Sequence, residues 1–518
     1  MRSLPDVDSL SLAEQVAQMV VVRASGYLFD DQIRYPQWEP PAAKLQYWLT
    51  ELGVGGVILL GGSAGELSLR SQQLQQWAKI PLLVAADIEE GVGQRFSGAT
   101  WFPPPMTLAA IAQQDLKLAQ QYAAQMGAIT AQEALEIGIN WVLAPVVDVN
   151  NNPQNPVINV RAFGETPTIV SQLTTAFIQG AKTHPVLTAA KHFPGHGDTA
   201  TDSHLDLPVL PHSPERLAQV ELPPFQAAIA AGVDAIMSAH LLIPSWDAEY
   251  PATLSPKILT QQLRKKLQFE GLIVTDALVM GAIAHRYGTK EAAVLAVEAG
   301  ADILLMPLDP EAAIQAVCDA VECDRISPER ILTSVTRIWH AKQRVTFTTP
   351  TLPKLAQPAA VATVTQILQA TQLVSGTVPL HLDPANKRRN VIVVDNLLDC
   401  EFLSETCPAI AIPQQLGYTT ELRDCHTPNL DISTEQPTLL QLFIRGNPFR
   451  GSAGLTQSAQ NLFKKMLDAK QLQALIVYGS PYVLPEFQHA LSATTPCLFS
   501  YGQMPAAQLT IMSTLFNL

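Results

Sequence analysis

The sequence predicts an α/β protein, built as a (β/α)₈ barrel of the TIM type followed by a smaller α/β domain. Short, continuously apolar segments alternate with longer segments of helical spacing through the first two thirds of the chain. Uninterrupted apolar segments are typical of strands that are buried on both faces of a parallel sheet. Eight such strand–helix units in about 340 residues have the size of a barrel with insertions.

Each element of the barrel follows from this alternation. Its eight strands are predicted at 19–22, 56–60, 82–86, 141–144, 187–190, 235–238, 272–275 and 303–306. Helical spacing between the strands is clearest at 105–137, 168–182, 214–231 and 289–299. The barrel domain is therefore predicted to span 1–345, and the Thr- and Pro-rich stretch 346–358 is typical of a linker.

A second α/β domain is predicted at 359–518. Its strands are predicted from apolar runs at 390–394, 440–444, 475–478 and 497–500. Gly446 and Gly479 follow such runs and are typical of ordinary turns rather than of a phosphate-binding loop. The sequence assigns this domain no role in chemistry, and we expect it to pack against the barrel.

Polar side chains stand near the carboxyl ends of six predicted barrel strands. They are Arg23, Asp87, Asp148, Lys191 with His192, His240 and Asp276. Because the side chains at this end of a barrel converge on its axis, enzymes of this fold build their sites there. Loops also begin at strand ends, so any one of these residues taken alone is weak evidence, and the prediction of a site rests on the set.

The chain has 518 residues, with 33 basic and 46 acidic side chains and a formal net charge of −13. A negative surface of this kind repels nucleic acid and anionic membranes, so the predicted partner is a neutral small molecule. The sequence contains no run of 18 apolar residues and no signal-peptide pattern at its start, so a cytoplasmic protein is expected. Its six cysteines lack CxxC spacing, which predicts free thiols. No oligomeric state follows from the sequence.

The segment 192–204 holds three of the chain's 11 histidines and two aspartates. Residue types that suit a metal ion are present at His192, His196, Asp202 and His204. Their spacing, however, matches no common zinc motif. For proton transfer, Asp202 can hold one ring nitrogen of His204 and direct the other towards a leaving group. From these residues alone, both a metal site and a proton-transfer site remain open.

A resemblance to a known family rests on four segments of the sequence. The first is Lys191-His-Phe-Pro-Gly-His-Gly, followed by Asp202-Ser-His204 and Leu207-Pro208. The other three are Asn159-Val-Arg-Ala-Phe-Gly-Glu165, Gly271-Leu-Ile-Val-Thr-Asp-Ala-Leu-Val-Met280 and Ala86-Asp87-Ile-Glu-Glu-Gly91 through Arg95. Together they closely resemble the signature segments of the β-N-acetylhexosaminidases of glycoside hydrolase family 3.

This resemblance implies a role for eight residues. Asp276 would be the nucleophile that forms a glycosyl-enzyme, and His204, paired with Asp202, would be the general acid and base. The residues implied to bind the sugar are Asp87, Arg95, Arg161, Lys191 and His192. In outline the loop that carries Asp87 matches the family, but Glu90 and Gly93 depart from the family's pattern.

Asp276 is also conspicuous on physical grounds. It ends the apolar strand 272–275, where an ionised carboxylate is costly unless a cation or a function retains it. We expect the basic side chains Arg95, Arg161 and Lys191 to supply that cation and to keep the pKa of the carboxylate low. A structural alternative is that Asp276 caps a helix predicted at 277–284.

The implied activity is that of a retaining exo-β-N-acetylglucosaminidase without cofactor or metal, which removes terminal non-reducing N-acetylglucosamine. The resemblance further implies muropeptides of peptidoglycan recycling as substrates. A histidine acid/base adds no second carboxylate that would repel an anionic acceptor, so phosphorolysis and other β-glycosidic specificities stay open. Two further alternatives are a metal-dependent hydrolase and a non-catalytic sugar-binding barrel, the latter indicated only by the atypical Glu90 and Gly93.

Overall fold

The computed structural model describes residues 4–345, 352, 354–383, 387–398, 400, 402–424, 426–427, 436–446 and 457–518. The strands of the first domain are β1 Val20–Ser25, β2 Gly56–Leu60, β3 Leu83–Ala86, β4 Trp141–Val142, β5 Leu187–Phe193, β6 Ala235–Ser238, β7 Leu272–Val274 and β8 Leu304–Leu305. Its helices are α1 Leu12–Gln18, α2 Ala42–Tyr47, α3 Ala64–Trp77, α4 Met106–Ala112, α5 Leu116–Glu136, α6 Pro167–Ala181, α7 Pro214–Gln219, α8 Leu222–Ala230, α9 Gly281–Ala299, α10 Pro310–Glu322 and α11 Pro328–Arg344. A π-helical segment, Lys257–Lys266, takes the helix position between β6 and β7.

The first eight strands form a parallel barrel, which confirms the predicted fold class. Each strand pairs with its neighbour in sequence from β1 to β7, and β1 also pairs with β8. A bridge between Val274 and Ile303 joins β7 to the segment that leads into β8 and closes the circle. The strand residues are almost all buried, as expected for a sheet that is filled inside and covered by helices outside.

Several strand ends differ from the prediction. Strand β1 continues to Ser25 and β5 to Phe193, so Arg23, Lys191 and His192 lie within strands rather than beyond them. Backbone pairing with the neighbouring strands decides these ends: Arg23 is paired with Ile58 of β2, and Lys191 forms a bridge with Val146. Apolar runs show which segments are buried, whereas pairing shows how far a strand extends.

Helix ends are set by local sequence signals. The predicted helical stretch 105–137 is divided into α4 and α5, because the side chain of Asp115 accepts the N–H of Leu118 and starts a new helix. The helix predicted at 277–284 begins only at Gly281, after Met280 as its N-cap. The expectation that Asp276 caps this helix is therefore wrong, because Asp276 lies five residues before the first helical residue.

The second domain contains a six-stranded sheet with helices on both faces. Its strands are β9 Leu373–Ser375, β10 Arg388–Val393, β11 Tyr418–Arg423, β12 Thr438–Ile444, β13 Leu472–Gly479 and β14 Cys497–Ser500. They lie in the order β11-β10-β12-β13-β14-β9, all parallel except β9, which is antiparallel to β14. Its helices, counted from the linker, are α12 Pro358–Thr371, α13 Pro408–Gln415, α14 Gln457–Asp468, α15 Leu484–Gln488 and α16 Pro505–Phe516. The two edge strands β9 and β11 were not predicted, because edge strands carry exposed residues and lack a continuous apolar run.

The two domains meet over a broad area. In the predicted linker, residues 346–351 and 353 lie outside the described part of the chain. Immediately after it, Val364, Ile367 and Leu368 of α12 belong to the same apolar core as the barrel helices. Among the helices that the structure describes, none is both long and apolar enough to cross a lipid bilayer.

Candidate active site

A cavity of about 460 Å³ opens at the carboxyl end of the barrel strands. Seven of the eight residues to which the sequence analysis gave a role line it: Asp87, Arg95, Arg161, Lys191, His192, His204 and Asp276. The eighth, Asp202, lies behind His204 and is 2% exposed. The fold therefore brings together residues that are up to 189 positions apart in the sequence (276 minus 87).

Asp202 and His204 form a tightly oriented pair. One carboxylate oxygen of Asp202 accepts the backbone N–H of His204 at 2.9 Å and lies 2.8 Å from the Nδ1 atom of the same residue. With the Nδ1 proton held by Asp202, Nε2 is the ring nitrogen that exchanges a proton with the substrate. It accepts a proton when the ring is neutral and donates one when the ring is doubly protonated. This is the arrangement that a general acid and base requires.

Asp276 extends from the end of β7 into the same cavity, where its Oδ1 atom accepts the N–H of Ala277 at 2.7 Å. Burial opposes ionisation of this carboxyl. Interactions with His240, His192, His204 and the Ala277 N–H outweigh burial and hold its pKa below the usual value of 3.8. Burial lowers the pKa of His240, and the Ala277 N–H supplies a direct hydrogen bond to the Asp276 carboxylate. Asp276 is thus an anion near the cavity wall.

The three basic residues that were predicted to stabilise Asp276 instead bind groups of the loop after β3. The ammonium of Lys191 lies 2.7 Å from both Asp87 Oδ1 and Glu89 Oε1. Arg161 binds Glu89 through two hydrogen bonds of 2.9 and 2.8 Å. Arg95 donates from Nε to the backbone carbonyl of Asp87 at 3.1 Å. The expectation that these cations lower the pKa of Asp276 is corrected, because they bind two carboxylates and a backbone carbonyl of the loop after β3 instead.

Glu89 was given no role by the sequence analysis. It is 4% exposed, and although burial raises the pKa of a carboxyl, Arg161 and Lys191 bring that of Glu89 well below its usual value. The only hint in the sequence was its position, two residues after Asp87 in a segment that resembles the family's signature. Glu89 fixes Lys191 and Arg161. Together with Asp87 these residues form a charged row along the cavity wall.

The histidines of the segment 192–204 have different hydrogen-bond partners. His192 Nδ1 lies 2.8 Å from Asp148, whereas the ring of His196 lies 2.7 Å from Thr199 Oγ1 and 3.1 Å from Ser203 Oγ. Burial lowers the pKa of His196 to about 4, so this ring is neutral and structural. The residues proposed as metal ligands each have partners of their own.

Within the described residues, one group of three carboxylate or imidazole side chains, different from the predicted ligand set, has ligand atoms within 4.8 Å of one another. It comprises Asp198, His212 and Glu221. Arg216 already lies 3.1 Å from Asp198 and 3.4 Å from Glu221, so a positive charge stands among these groups.

The loop that carries His204 is held from below by Asn155. Its Nδ2 atom donates to the carbonyls of His196 and Gly197 at 2.8 and 3.0 Å, and its Oδ1 atom accepts two backbone N–H groups of the following turn. Gly197 approaches so closely that a Cβ atom there would lie 1.8 Å from the carbonyl oxygen of Val149. The shape of the loop thus depends on an uncharged residue that no motif indicated.

The second domain forms one wall of the cavity. Nine described lining residues belong to it: Val394, Asp395, Asn396, Cys400, Phe402, Phe443, Arg445, Gly446 and Gln503. Arg445, directly after β12, forms an ion pair with Glu90, which is 1% exposed and also accepts the indole N–H of Trp101 at 3.1 Å. The atypical Glu90 is therefore a contact between the domains, and the sequence offered no signal for its partner 355 positions away.

Both domains have recognisable relatives. Residues 11–341 match the "Glycosyl hydrolase family 3 N terminal domain", and residues 381–517 match the "Bacterial Glycosyl hydrolase family 3 C-terminal domain". A beta-hexosaminidase A of Pseudoalteromonas piscicida is 34% identical over 337 residues, which are 59% of this chain and 56% of that protein. A beta-hexosaminidase of Thiobacillus denitrificans is 34% identical over 54% of this chain and 77% of its own length.

This chain spans little more than half the length of the first of these relatives. By contrast, a solved glycoside hydrolase family 3 beta-N-acetylglucosaminidase from Paenibacillus sp. str. FPU-7 matches over 98% of this chain and 97% of its own, with 30% identity and a TM-score of 0.79. The N-terminal family match covers well over half of the sequence, and the predicted resemblance is thereby confirmed. The chain belongs to glycosyl hydrolase family 3.

Proposed function

We propose that this family 3 protein is a retaining exo-β-N-acetylglucosaminidase, which removes a terminal non-reducing N-acetylglucosamine. The observation that carries the proposal is that the Asp276 carboxylate and His204, oriented by Asp202 behind it, line one cavity. The beta-hexosaminidase names of the relatives and the Paenibacillus structure support the choice of sugar. Its proposed setting is muropeptide recycling, as the family resemblance implies, in the cytoplasm, as the sequence analysis expects.

In the first step, the Asp276 carboxylate attacks the anomeric carbon while the bond to the leaving oxygen breaks. His204, which enters this step protonated on both ring nitrogens, gives its Nε2 proton to that oxygen and becomes neutral, and a glycosyl-enzyme remains on Asp276. In the second step, His204 takes a proton from water as the water oxygen attacks the anomeric carbon and releases Asp276. Two inversions at one carbon give net retention of configuration.

The proposed sugar contacts lie along the charged row. Asp87 has a side chain that is 33% exposed, so it can accept hydroxyl hydrogen bonds while it remains paired with Lys191. Arg95, Arg161 and His192 line the same wall, and Glu89 and Asp148 hold the last two in place. Rigid charged partners of this kind orient a neutral sugar at little entropic cost.

The test is turnover of p-nitrophenyl N-acetyl-β-glucosaminide by the wild type, Asp276→Ala and His204→Ala. We expect Asp276→Ala to lose at least about 10³-fold in kcat, since the covalent step is removed. His204→Ala should lose about 10²-fold on substrates with poor leaving groups and less on the nitrophenyl substrate, which needs little protonation. His340→Ala, an exposed histidine on α11, is the matched control and should be fully active.

Hydrolysis that persists in Asp276→Ala would refute the nucleophile assignment. Equal losses of His204→Ala on good and poor leaving groups would contradict the acid role. Product analysis with and without added phosphate separates hydrolysis from phosphorolysis, because only the latter yields a sugar 1-phosphate. Because the acid/base is a histidine, no second carboxylate is present to repel phosphate. The measurement with added phosphate is therefore part of the experiment.

A further inference from the structure

A second cavity, of about 210 Å³, adjoins the catalytic one. The two cavities share three lining residues: Arg95 and Trp101 of the barrel, and Phe402 of the second domain. Beyond these residues, the second cavity is lined by the segment that follows β1 and includes Tyr27, Tyr35 and Glu39. None of the residues to which a role in catalysis has been assigned reaches into it except Arg95.

The second cavity combines aromatic rings with fixed charges. Tyr35 is 36% exposed, and the guanidinium of Arg23 lies 5.0 Å from the centroid of its ring. Arg23 is in turn bound to the buried Glu39 at 3.1 Å. Aromatic rings held in this way offer an apolar face to the C–H groups of a pyranose, while the charged groups of the lining, Arg34, Glu39 and Arg95, bind hydroxyls. Arg23 of β1 has no role in the proposed catalytic steps. Its contacts with Tyr35 and Glu39 hold these two residues in the wall of the second cavity.

Trp101 stands at the boundary between the cavities and is held on both sides. Its indole N–H donates to Glu90, and Glu90 is paired with Arg445 of the second domain. The turn at Gly93 packs so closely on the chain before Trp101 that a Cβ atom at Gly93 would lie 2.4 Å from the carbonyl oxygen of Ala99. Glu90 and Gly93, the two departures from the family's pattern, both serve to fix this tryptophan.

We propose that the second cavity binds the second sugar of the leaving group, so that the enzyme prefers oligosaccharides with at least two sugars beyond the cleaved bond. This inference rests on the hydrolysis assigned under the proposed function, because it takes the catalytic cavity as the place where the terminal sugar is cut, and it does not rest on the muropeptide setting. The first leaving-group sugar lies against Trp101 and Phe402, and the second stacks on Tyr35. The ligand class is a neutral β-linked N-acetylglucosamine chain.

The experiment compares kcat/KM for the disaccharide and the trisaccharide of β-1,4-linked N-acetylglucosamine, whose leaving groups have one and two sugars. In the wild type we expect the trisaccharide to be favoured about fivefold, the gain that one aromatic contact supplies. Tyr35→Ala should abolish this preference and leave the disaccharide and nitrophenyl rates unchanged. Tyr35→Phe, which keeps the ring, should retain the preference.

The matched control is Tyr47→Ala, which removes a tyrosine of 44% exposure that lines neither cavity and should leave the preference intact. Equal kcat/KM for the two oligosaccharides in the wild type, or a preference that survives in Tyr35→Ala, overturns the second binding site. Failure of the wild type to cleave the nitrophenyl substrate instead overturns the proposed function, and with it this inference. The two failures are therefore distinguishable.

Discussion

Glu89 lies between two cations, Arg161 and Lys191, and its carboxylate oxygens are within 2.9 Å of both. Buried charges are retained only when they are paired and hydrogen-bonded, because desolvation would otherwise neutralise them. Here the anion satisfies two basic side chains that the cavity needs as fixed donors. The stability of this part of the protein is consequently tied to the ionisation of one glutamate.

We expect Glu89→Gln to lower the free energy of unfolding by about 3 kcal/mol near neutral pH, because it breaks a buried ion pair from one side. The folded pKa of Glu89 lies below its unfolded value of 4.5, so its stabilising charge is present above pH 4.5 and is lost as the pH falls further. The difference between wild type and variant should thus be constant at neutral pH and shrink below pH 4.5. Urea unfolding at several pH values measures it.

Glu322→Gln provides the control for this prediction, since Glu322 is an exposed residue at the end of α10. It should show no such pH-dependent difference. A stability loss in Glu89→Gln that is the same at pH 7 and at acidic pH would mean that the charge of Glu89 is not what stabilises the site.

At the scale of elements, the loop between β5 and α7 is the part of the barrel on which the chemistry depends. It carries Asp202 and His204, and it is fastened by Asn155, which is 0% exposed and contributes four hydrogen bonds of 3.0 Å or less. Two of these bonds hold the loop itself and two hold the turn beneath it. Asn155 is a positioning residue in this arrangement, since it acts through the loop.

We expect Asn155→Ala to lower kcat about tenfold with little change in KM, because the acid/base pair loses its support while the charged row stays in place. The loss should be greater on substrates with poor leaving groups, which depend on protonation by His204. Steady-state kinetics on a leaving-group series provides the measurement. A variant that merely destabilises the protein would not change this dependence.

Asn140→Ala is the matched control for this loop. Asn140 is also buried, and its side chain also binds two backbone groups, the carbonyl of Leu82 and the N–H of Val84. It precedes β4, at the opposite end of the barrel from the cavity. We expect the control to lose stability by about 1–3 kcal/mol and to keep its kcat. Similar kcat losses in both variants would contradict the positioning role of Asn155.

At the scale of the whole molecule, the second domain is part of the cavity rather than an appendage. Arg445 reaches Glu90, and Tyr482 donates from its hydroxyl to Glu165 at 2.6 Å while it accepts from Asn150 at 2.9 Å. The barrel alone therefore supplies only part of the cavity lining. Integrity of the domain interface should therefore influence how sugars bind.

We expect Arg445→Met to lower the free energy of unfolding by about 2 kcal/mol, because it leaves the buried Glu90 without its cation. The KM for the oligosaccharides should rise as well, since Glu90 no longer holds Trp101 firmly. Chemical unfolding and steady-state kinetics measure the two effects. Arg423→Met, which removes a partly exposed pair with Glu421 on the same strand, is the control and should leave KM unchanged.

An Arg445→Met protein whose stability and oligosaccharide KM both equal those of the wild type would show that the domain contact does not support the cavity. Loss of stability alone, with KM unchanged, would separate the interface from sugar binding and contradict the part assigned to Trp101.

Buried strands could be predicted from the sequence more accurately than exposed strands. Barrel strands such as Gly56–Leu60 and Ala235–Ser238 were predicted with their exact ends, because burial on both faces leaves an uninterrupted apolar run. The edge strand Tyr418–Arg423 was missed, since only one of its six residues is buried and the strand shows no such run. Polar partners were missed for another reason: nothing near Glu89 or Asn155 in sequence indicates what each will contact.

The sequence by itself determined the order of strands and helices, the family, and the residues at the ends of β3, β5 and β7 that meet on the barrel axis. These properties depend on neighbours along the chain, through periodic burial and local motifs. Only the tertiary structure decided which charges pair: Lys191 and Arg161 bind Asp87 and Glu89 rather than supporting Asp276, and Arg445 closes the cavity from the second domain. The physical reason is that ion pairs and hydrogen bonds act over about 3 Å in space, and residues far apart in the sequence come that close only in the folded chain.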